Sequence, residues 1–235
     1  MKKKVNKKEN LVSHFSEFRR RLLHCFLFFI VCFAISYGFA ENIFLFLAAP
    51  LGETKMIYTN LTEGFFTYLK VSYFMALFWS IPYCLMELWS FISPGLYDKE
   101  KKSLLPFLIM TPFLFYLGGA FVYFLVIPNA WSFFLSFQSE SIELSAKISE
   151  YLALIMSLII AFGLCFEIPV LLSLLVKFKI VNYEKLKKIR KYFIVLAFVC
   201  GAFLTPPDIV SQLFLATAII VLFEFSLLMI RFLKK

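Results

Sequence analysis

Apolar residues run in long unbroken blocks along this chain. Six blocks, at residues 22–40, 65–91, 104–127, 151–176, 191–204 and 209–230, carry few charges and are separated by charged or turn-forming stretches. About 20 predominantly apolar residues cross a bilayer as a helix. Backbone polar groups are not left bare in lipid, so each block is expected to be helical. The blocks show no period of two, which disfavours a β-barrel. The expected fold is an all-α integral membrane protein with six transmembrane helices, a single membrane domain over residues 1–235. Pro82, Pro106, Pro112 and Pro169 lie inside blocks and are expected to kink them. The fifth and sixth helices are expected to be short. Between Lys191 and Thr205 stand only 13 residues, "YFIVLAFVCGAFL". At about 1.5 Å each they reach roughly 20 Å, short of a hydrocarbon core of about 30 Å. The "TPPD" turn at 205–208 then folds the last two helices into a hairpin.

The cations set an orientation. Lys and Arg number eight in residues 1–24, three in 91–104, seven in 177–191 and three from Arg231 onward. The alternate connections hold two, Lys55 and Lys147. By the positive-inside rule, residues 1–21, 92–103, 177–190 and 231–235 face the cytoplasm, with both termini inside. The net charge of +9 is therefore a topology signal, and no nucleic-acid partner is expected.

Composition narrows the function. With 61% hydrophobic and 17% charged residues, the chain is too apolar for an ordinary soluble domain. Five scattered cysteines without a C-x-x-C argue against a disulfide framework or a zinc site. The two histidines, His14 and His24, belong to no metal motif, and no phosphate-binding loop is present. No nucleophile, metal set or acid–base pair gathers at one depth, so neither an enzyme nor a cofactor is expected. No cleavable signal peptide is expected, because the first apolar run starts only near Leu22 and is too long. No internal repeat is visible, against the repeat-built transporters.

Three short stretches carry chemistry. In "NLVSHFSEFRRRL" (10–22), Leu11, Phe15, Phe18 and Leu22 share one helical face, and the other presents Glu17, Arg20 and Arg21. Taken by itself this is an interfacial helix, with Glu17 paired to Arg20 or Arg21. In "FISPGLYDKEKK" (91–102), a turn at Pro94-Gly95 precedes Asp98 and Glu100 among three lysines. Taken by itself this is a solvated loop. In "AFGLCFEIPVLL" (161–172), Glu167 interrupts an apolar run beside Pro169. Intramembrane carboxylates commonly mark pathways. Glu87, Glu167 and Glu224 thus support an alternative reading as a proton-coupled small-solute transporter or channel.

Taken together, "HFSEFRRRL" (14–22), "APL" (49–51), "FISPGLYDKEKK" (91–102), "FGLCFEIPV" (162–170) and "LTPPDIVSQ" (204–212) resemble the TatC family. That family is the multispanning core of the twin-arginine protein translocase. The resemblance implies a receptor for signal peptides bearing two consecutive arginines. Its binding glutamates map onto Glu17 and Glu100, and its functional arginine onto Arg19. Phe91, Pro94 and Tyr97 fall in its loop motif. It also implies that Glu167 faces a concave surface where a polar residue of a partner helix docks. Gln212, a donor and acceptor early in the sixth block, is a second docking candidate and alternatively bonds a backbone carbonyl of its own chain. Pro50 and Asp208 shape the non-cytoplasmic turns and are candidates for functional contacts there. The implied partners are the single-span proteins TatA and TatB, further copies in a larger complex, and the bilayer. The implied energy source is the proton-motive force, and the implied cargo is folded protein. The implied membrane is the bacterial cytoplasmic (inner) membrane, or an inner or thylakoid membrane of an organelle that inherited the system. Two departures stand out: Phe15 and Phe18 replace leucines, and Glu87-Leu88-Trp89 stands where the family has Gln-x-Trp.

Overall fold

The computed structural model describes residues 7–52, 56–57, 60, 62–92, 98–136, 146–204 and 209–233. Its helices are α1 (Lys7–Gly38), α2 (Ala40–Ala48), α3 (Glu63–Ile92), α4 (Asp98–Phe121), α5 (Ile127–Leu135), α6 (Ile148–Cys165), α7 (Ile168–Lys177), α8 (Tyr183–Leu204) and α9 (Ile209–Leu233). A π-helical segment, Val122–Val126, joins α4 to α5 without a break. Two two-residue strands, β1 (Met56–Ile57) and β2 (Ala146–Lys147), pair in parallel. This is an all-α membrane fold. Among the described residues, Phe15–Gly38, Glu63–Phe91, Pro106–Leu135, Ile148–Lys177 and Gln212–Arg231 are long and apolar enough to cross a bilayer.

The helices differ from the apolar blocks in informative ways. The stretch expected to lie on the interface is continuous with the first span, because nothing between Leu11 and Tyr37 breaks a helix. Thus Glu17 stands on the same continuous helix as the first span, near its start. The last two helices are not short: α8 has 22 residues and α9 has 25. Only the apolar part of α8 is short, since its first half, "YEKLKKIRK", is cationic yet still helical. Pro82 sits inside α3, and Pro106 and Pro112 inside α4, without ending either helix. The fourth block does break. Pro169 lacks an N–H, and the chain leaves α6 through Phe166 and Glu167 before α7 begins. Glu167 N–H bonds Leu164 O at 3.1 Å, a tightened turn at this junction.

The main core is built around α6, against α2, α3, the π-helical segment and α9, and α4 packs closely on another side of α6. Leu152, Ile155, Leu158 and Phe162 form a helical stripe of fully buried side chains on α6. Glycines let the two helices approach: a Cβ at Gly118 would stand 2.7 Å from Phe162 O, and one at Gly163 would stand 2.7 Å from the Phe115 ring.

At the end of the molecule that holds α2, polar groups tie distant elements together. Tyr123 and Tyr151 donate their hydroxyls to Phe46 O and Leu47 O of α2, each at 2.7 Å. Glu63, only 7% exposed, accepts the N–H of Ser149 at 3.1 Å and of Asn60 at 3.3 Å. Glu63→Ala leaves two backbone donors without this carboxylate and is expected to cost about 1–3 kcal/mol. A thermal-unfolding shift clearly larger than that of exposed Glu41→Ala checks this.

Candidate functional site

At the opposite end, the start of α1 meets the last turns of α3. Three aromatic contacts align the pair: Phe18–Phe91 at 5.6 Å, Phe28–Tyr83 at 4.5 Å and Phe29–Tyr73 at 5.6 Å between ring centroids. Because α1 and α3 run antiparallel, residue numbers rise along one as they fall along the other. That brings Glu17 and Arg21 beside Glu87.

Arg21 lies between the two carboxylates. Its Nη2 and Nε donate to Glu17 Oε1 at 2.8 and 3.1 Å, and its Nη1 donates to Glu87 Oε2 at 2.7 Å. Tyr83 Oη donates to the other Glu87 oxygen at 3.2 Å. The three charged side chains are half-buried, at 25%, 36% and 21% exposure for Arg21, Glu17 and Glu87. Arg21 and Glu87 line a groove of about 300 Å³ whose walls include Phe18, Leu22, Leu85, Leu88 and Phe91, and Glu17 is tied to it through Arg21. Charge-assisted bonds in such a partly desolvated, apolar-walled site are stronger than in water. The formal sum over Glu17, Arg21 and Glu87 is one negative charge. The groove therefore suits a cation with apolar neighbours.

A second polar locus lies at the α6–α7 break. Glu167 Oε1 and Thr111 Oγ1 are buried, and neither meets hydrogen-bond geometry among the described residues. Thr111 of α4 is the side chain that approaches Glu167. The other two carboxylates of the apolar blocks have ionic partners: Glu87 has Arg21, and Glu224 of α9 has Arg190 of α8.

Comparison with known proteins bears on this arrangement. The model of the family "Sec-independent protein translocase protein (TatC)" matches residues 13–217. The Sec-independent protein translocase protein TatC of Magnetococcus marinus is 49% identical over 228 residues, covering 95% of this chain and 84% of that one. The protein of the same name from Rickettsia prowazekii is 46% identical, covering 94% of this chain and 92% of its own. The crystal structure of a twin-arginine translocase receptor TatC superposes with a TM-score of 0.84 at 34% identity, covering 94% of this chain and all of that chain. The chain belongs to the TatC family. It is a multi-pass membrane protein and a component of a Sec-independent protein translocase.

Within this TatC fold the sequence-derived candidates fall as follows. Phe91 lines the groove and meets Phe18 there, and Glu17 is joined to it by its ion pair with Arg21. Arg19 is exposed on α1, outside the ion-pair network. Glu100 stands in the first turn of α4, and its side chain lies outside the described part of the structure. Pro94, Tyr97 and Asp208 lie outside the described residues. Pro50 opens a 3-10 turn, Ala49–Leu51, that ends at Gly52 with φ +65. Gln212 donates Nε2–H to Phe198 O at 3.2 Å, bonding its own chain across the α8–α9 hairpin. A partner helix meeting Gln212 has to compete with that bond.

Sequence reasoning missed two features of this TatC chain. Arg21 as the bridge to Glu87 spans 66 positions, and only helix packing brings them together. The i, i+4 spacing of Glu17 and Arg21 was the available signal. Thr111 gave no signal, since a lone threonine before a proline in an apolar block is ordinary.

Proposed function

We propose that this chain is the receptor subunit of the translocase, reading the two arginines of a signal peptide with carboxylates at one end of α1, α3 and α4. The observation that carries this reading is the groove lined by Arg21 and Glu87, with Glu17 paired to Arg21. There the helix-borne carboxylates Glu17 and Glu87 accept hydrogen bonds from a guanidinium, that of Arg21, and aromatic walls offer room for adjoining apolar residues. A guanidinium is planar, permanently charged and presents several donors at once, whereas a lysine ammonium is a point charge. Two adjacent arginines call for two acceptors, and Glu100, in the first turn of α4, is the second that the resemblance names beside Glu17. The resemblance gives Arg19, Phe91, Pro94 and Tyr97 a part in the same recognition. The groove faces the cytoplasm, as do both termini, in a bacterial inner membrane. The chain does not act as an enzyme. Translocation of folded cargo draws on the proton-motive force, with TatA- and TatB-type single-span partners and further copies of the chain.

Glu167 serves as an intramembrane hydrogen-bonding post for a partner helix. A carboxyl with an unused oxygen beside Thr111 has bonding capacity to offer. Gln keeps that capacity and removes the titration. Glu167→Gln is therefore expected to retain most export, and Glu167→Ala to lose several-fold. Export abolished by Gln but tolerated with Ala contradicts docking.

The receptor reading is tested in cells lacking their own TatC, supplied with this chain and TatA/TatB-type partners. A folded reporter behind a twin-arginine leader is expected to be exported, and the same reporter behind a twin-lysine leader to stay inside. Equal export of both sinks the reading. The transporter reading draws no support from Glu87 and Glu224, which are ion-paired within the chain.

A further inference from the structure

Glu87, near the end of α3, places a carboxylate in the wall of the groove, and the structure gives that carboxylate an occupant. Arg21 bonds Glu87 Oε2 with Nη1 while its remaining donors hold Glu17 Oε1. One guanidinium thus sits between acceptors on two helices, in the geometry that an incoming arginine side chain requires. Tyr83 fixes the far oxygen of Glu87, which orients its carboxylate toward α1. Arg21 uses one oxygen of Glu17, and Oε2 makes no hydrogen bond with the described residues.

We propose that Glu87 is a specificity-determining acceptor for the twin-arginine motif, and that Arg21 is its resident competitor. The inference rests on the receptor reading above. In the resting chain, Arg21 satisfies Glu87 and half of Glu17, so neither carboxylate is buried unpaired. A signal-peptide arginine binds by sharing Glu17 and exchanging with Arg21 at Glu87. The net negative charge of the trio draws the peptide cation in, and the lost internal bond to Arg21 offsets part of the gain. Binding is thereby selective: a ligand must supply bonds as good as those of the guanidinium it replaces. A lysine ammonium, with no planar fork, exchanges poorly.

Two variants separate this role from a purely structural one. Glu87→Gln and Arg21→Gln break the same bridge between α1 and α3. If the bridge only holds the helices together, both weaken peptide binding. If Glu87 is an acceptor and Arg21 its competitor, the two act in opposite directions. Glu87→Gln removes a charged acceptor and is expected to weaken binding about tenfold. Arg21→Gln removes the competitor and a like charge and is expected to tighten binding about threefold or more. Glutamine has nearly the shape of glutamate and its carbonyl can still accept the Tyr83 hydroxyl, so Glu87→Gln is expected to fold.

The measurement uses the full-length chain in lipid nanodiscs, titrated with fluorescent twin-arginine and twin-lysine signal peptides. Opposite shifts of the two variants for the twin-arginine peptide support the proposal. Shifts in the same direction, a shift in only one variant, or no shift in either overturn it while leaving the receptor reading intact. A wild-type chain that binds both peptides equally overturns the receptor reading and this proposal with it.

Discussion

Replacing Glu17 and Glu100 together with alanine is expected to remove measurable binding of a twin-arginine peptide, and each single replacement to weaken it about tenfold. A hydrogen bond to a charged group contributes about 1.5–3 kcal/mol, reduced here because Glu17 is partly solvated. A factor of ten corresponds to about 1.4 kcal/mol, inside that range. The loss in Glu17→Ala is a loss of recognition and not of folding. Arg21 keeps its 2.7 Å bond to Glu87, and the Phe18–Phe91, Phe28–Tyr83 and Phe29–Tyr73 contacts remain, so α1 stays seated on α3. Unchanged thermal stability together with lost binding is the expected pair of readings. Full binding by the double variant contradicts the assignment of both carboxylates.

The second large effect concerns stability. Gly118→Ala is expected to destabilise the fold by about 1–3 kcal/mol, and Gly118→Val to prevent accumulation of folded protein. The added Cβ meets Phe162 O at 2.7 Å and Gly163 Cα at 3.0 Å. Both are backbone atoms, so no side-chain rotation relieves the contact, and α4 must move away from α6. Such a movement opens the core where Phe115 and Phe162 are fully buried. It also shifts Thr111 relative to Glu167, because both flank this interface. Gly38→Ala is the control: its Cβ has nothing within 4 Å, and the change is expected to be neutral. Thermal unfolding of purified protein, followed by size-exclusion profile, distinguishes the two. Equal stability of Gly118→Ala and Gly38→Ala contradicts the close-packing account.

The apolar blocks were readable because a bilayer demands long helices, and composition records that demand directly. The limits of those helices were not. Window hydropathy sees where apolar residues stop, yet α8 continues as a helix through "YEKLKKIRK", because lysine and arginine are good helix formers. For the same reason α1 does not stop at the interface. The contact between Glu17 and Arg21 was readable from i, i+4 spacing. The rest of the groove depends on the packing of α1 against α3, which no local pattern encodes. The same holds for Tyr151 and Leu47, 104 positions apart, and for the approach of Thr111 to Glu167. Glu87 was visible in the sequence as an added charge, but its meaning comes from Arg21 standing opposite.

This placement also changes how the intramembrane carboxylates are understood. Three glutamates in apolar blocks suggest a relay until their partners are known. Glu87 belongs to the groove through Arg21, and Glu224 staples α9 to α8 through Arg190. Glu167 is left beside Thr111 at a helix break, the arrangement from which its docking role is proposed.

The central claim is that Glu17 and Glu100 contact the arginine pair itself. Photocross-linkers placed at positions 17 and 100 of the full-length chain, in membranes, test it most directly. The account predicts strong cross-links from both positions to a twin-arginine signal peptide and weak ones to its twin-lysine counterpart. Equal cross-linking of the two peptides from both positions would contradict it.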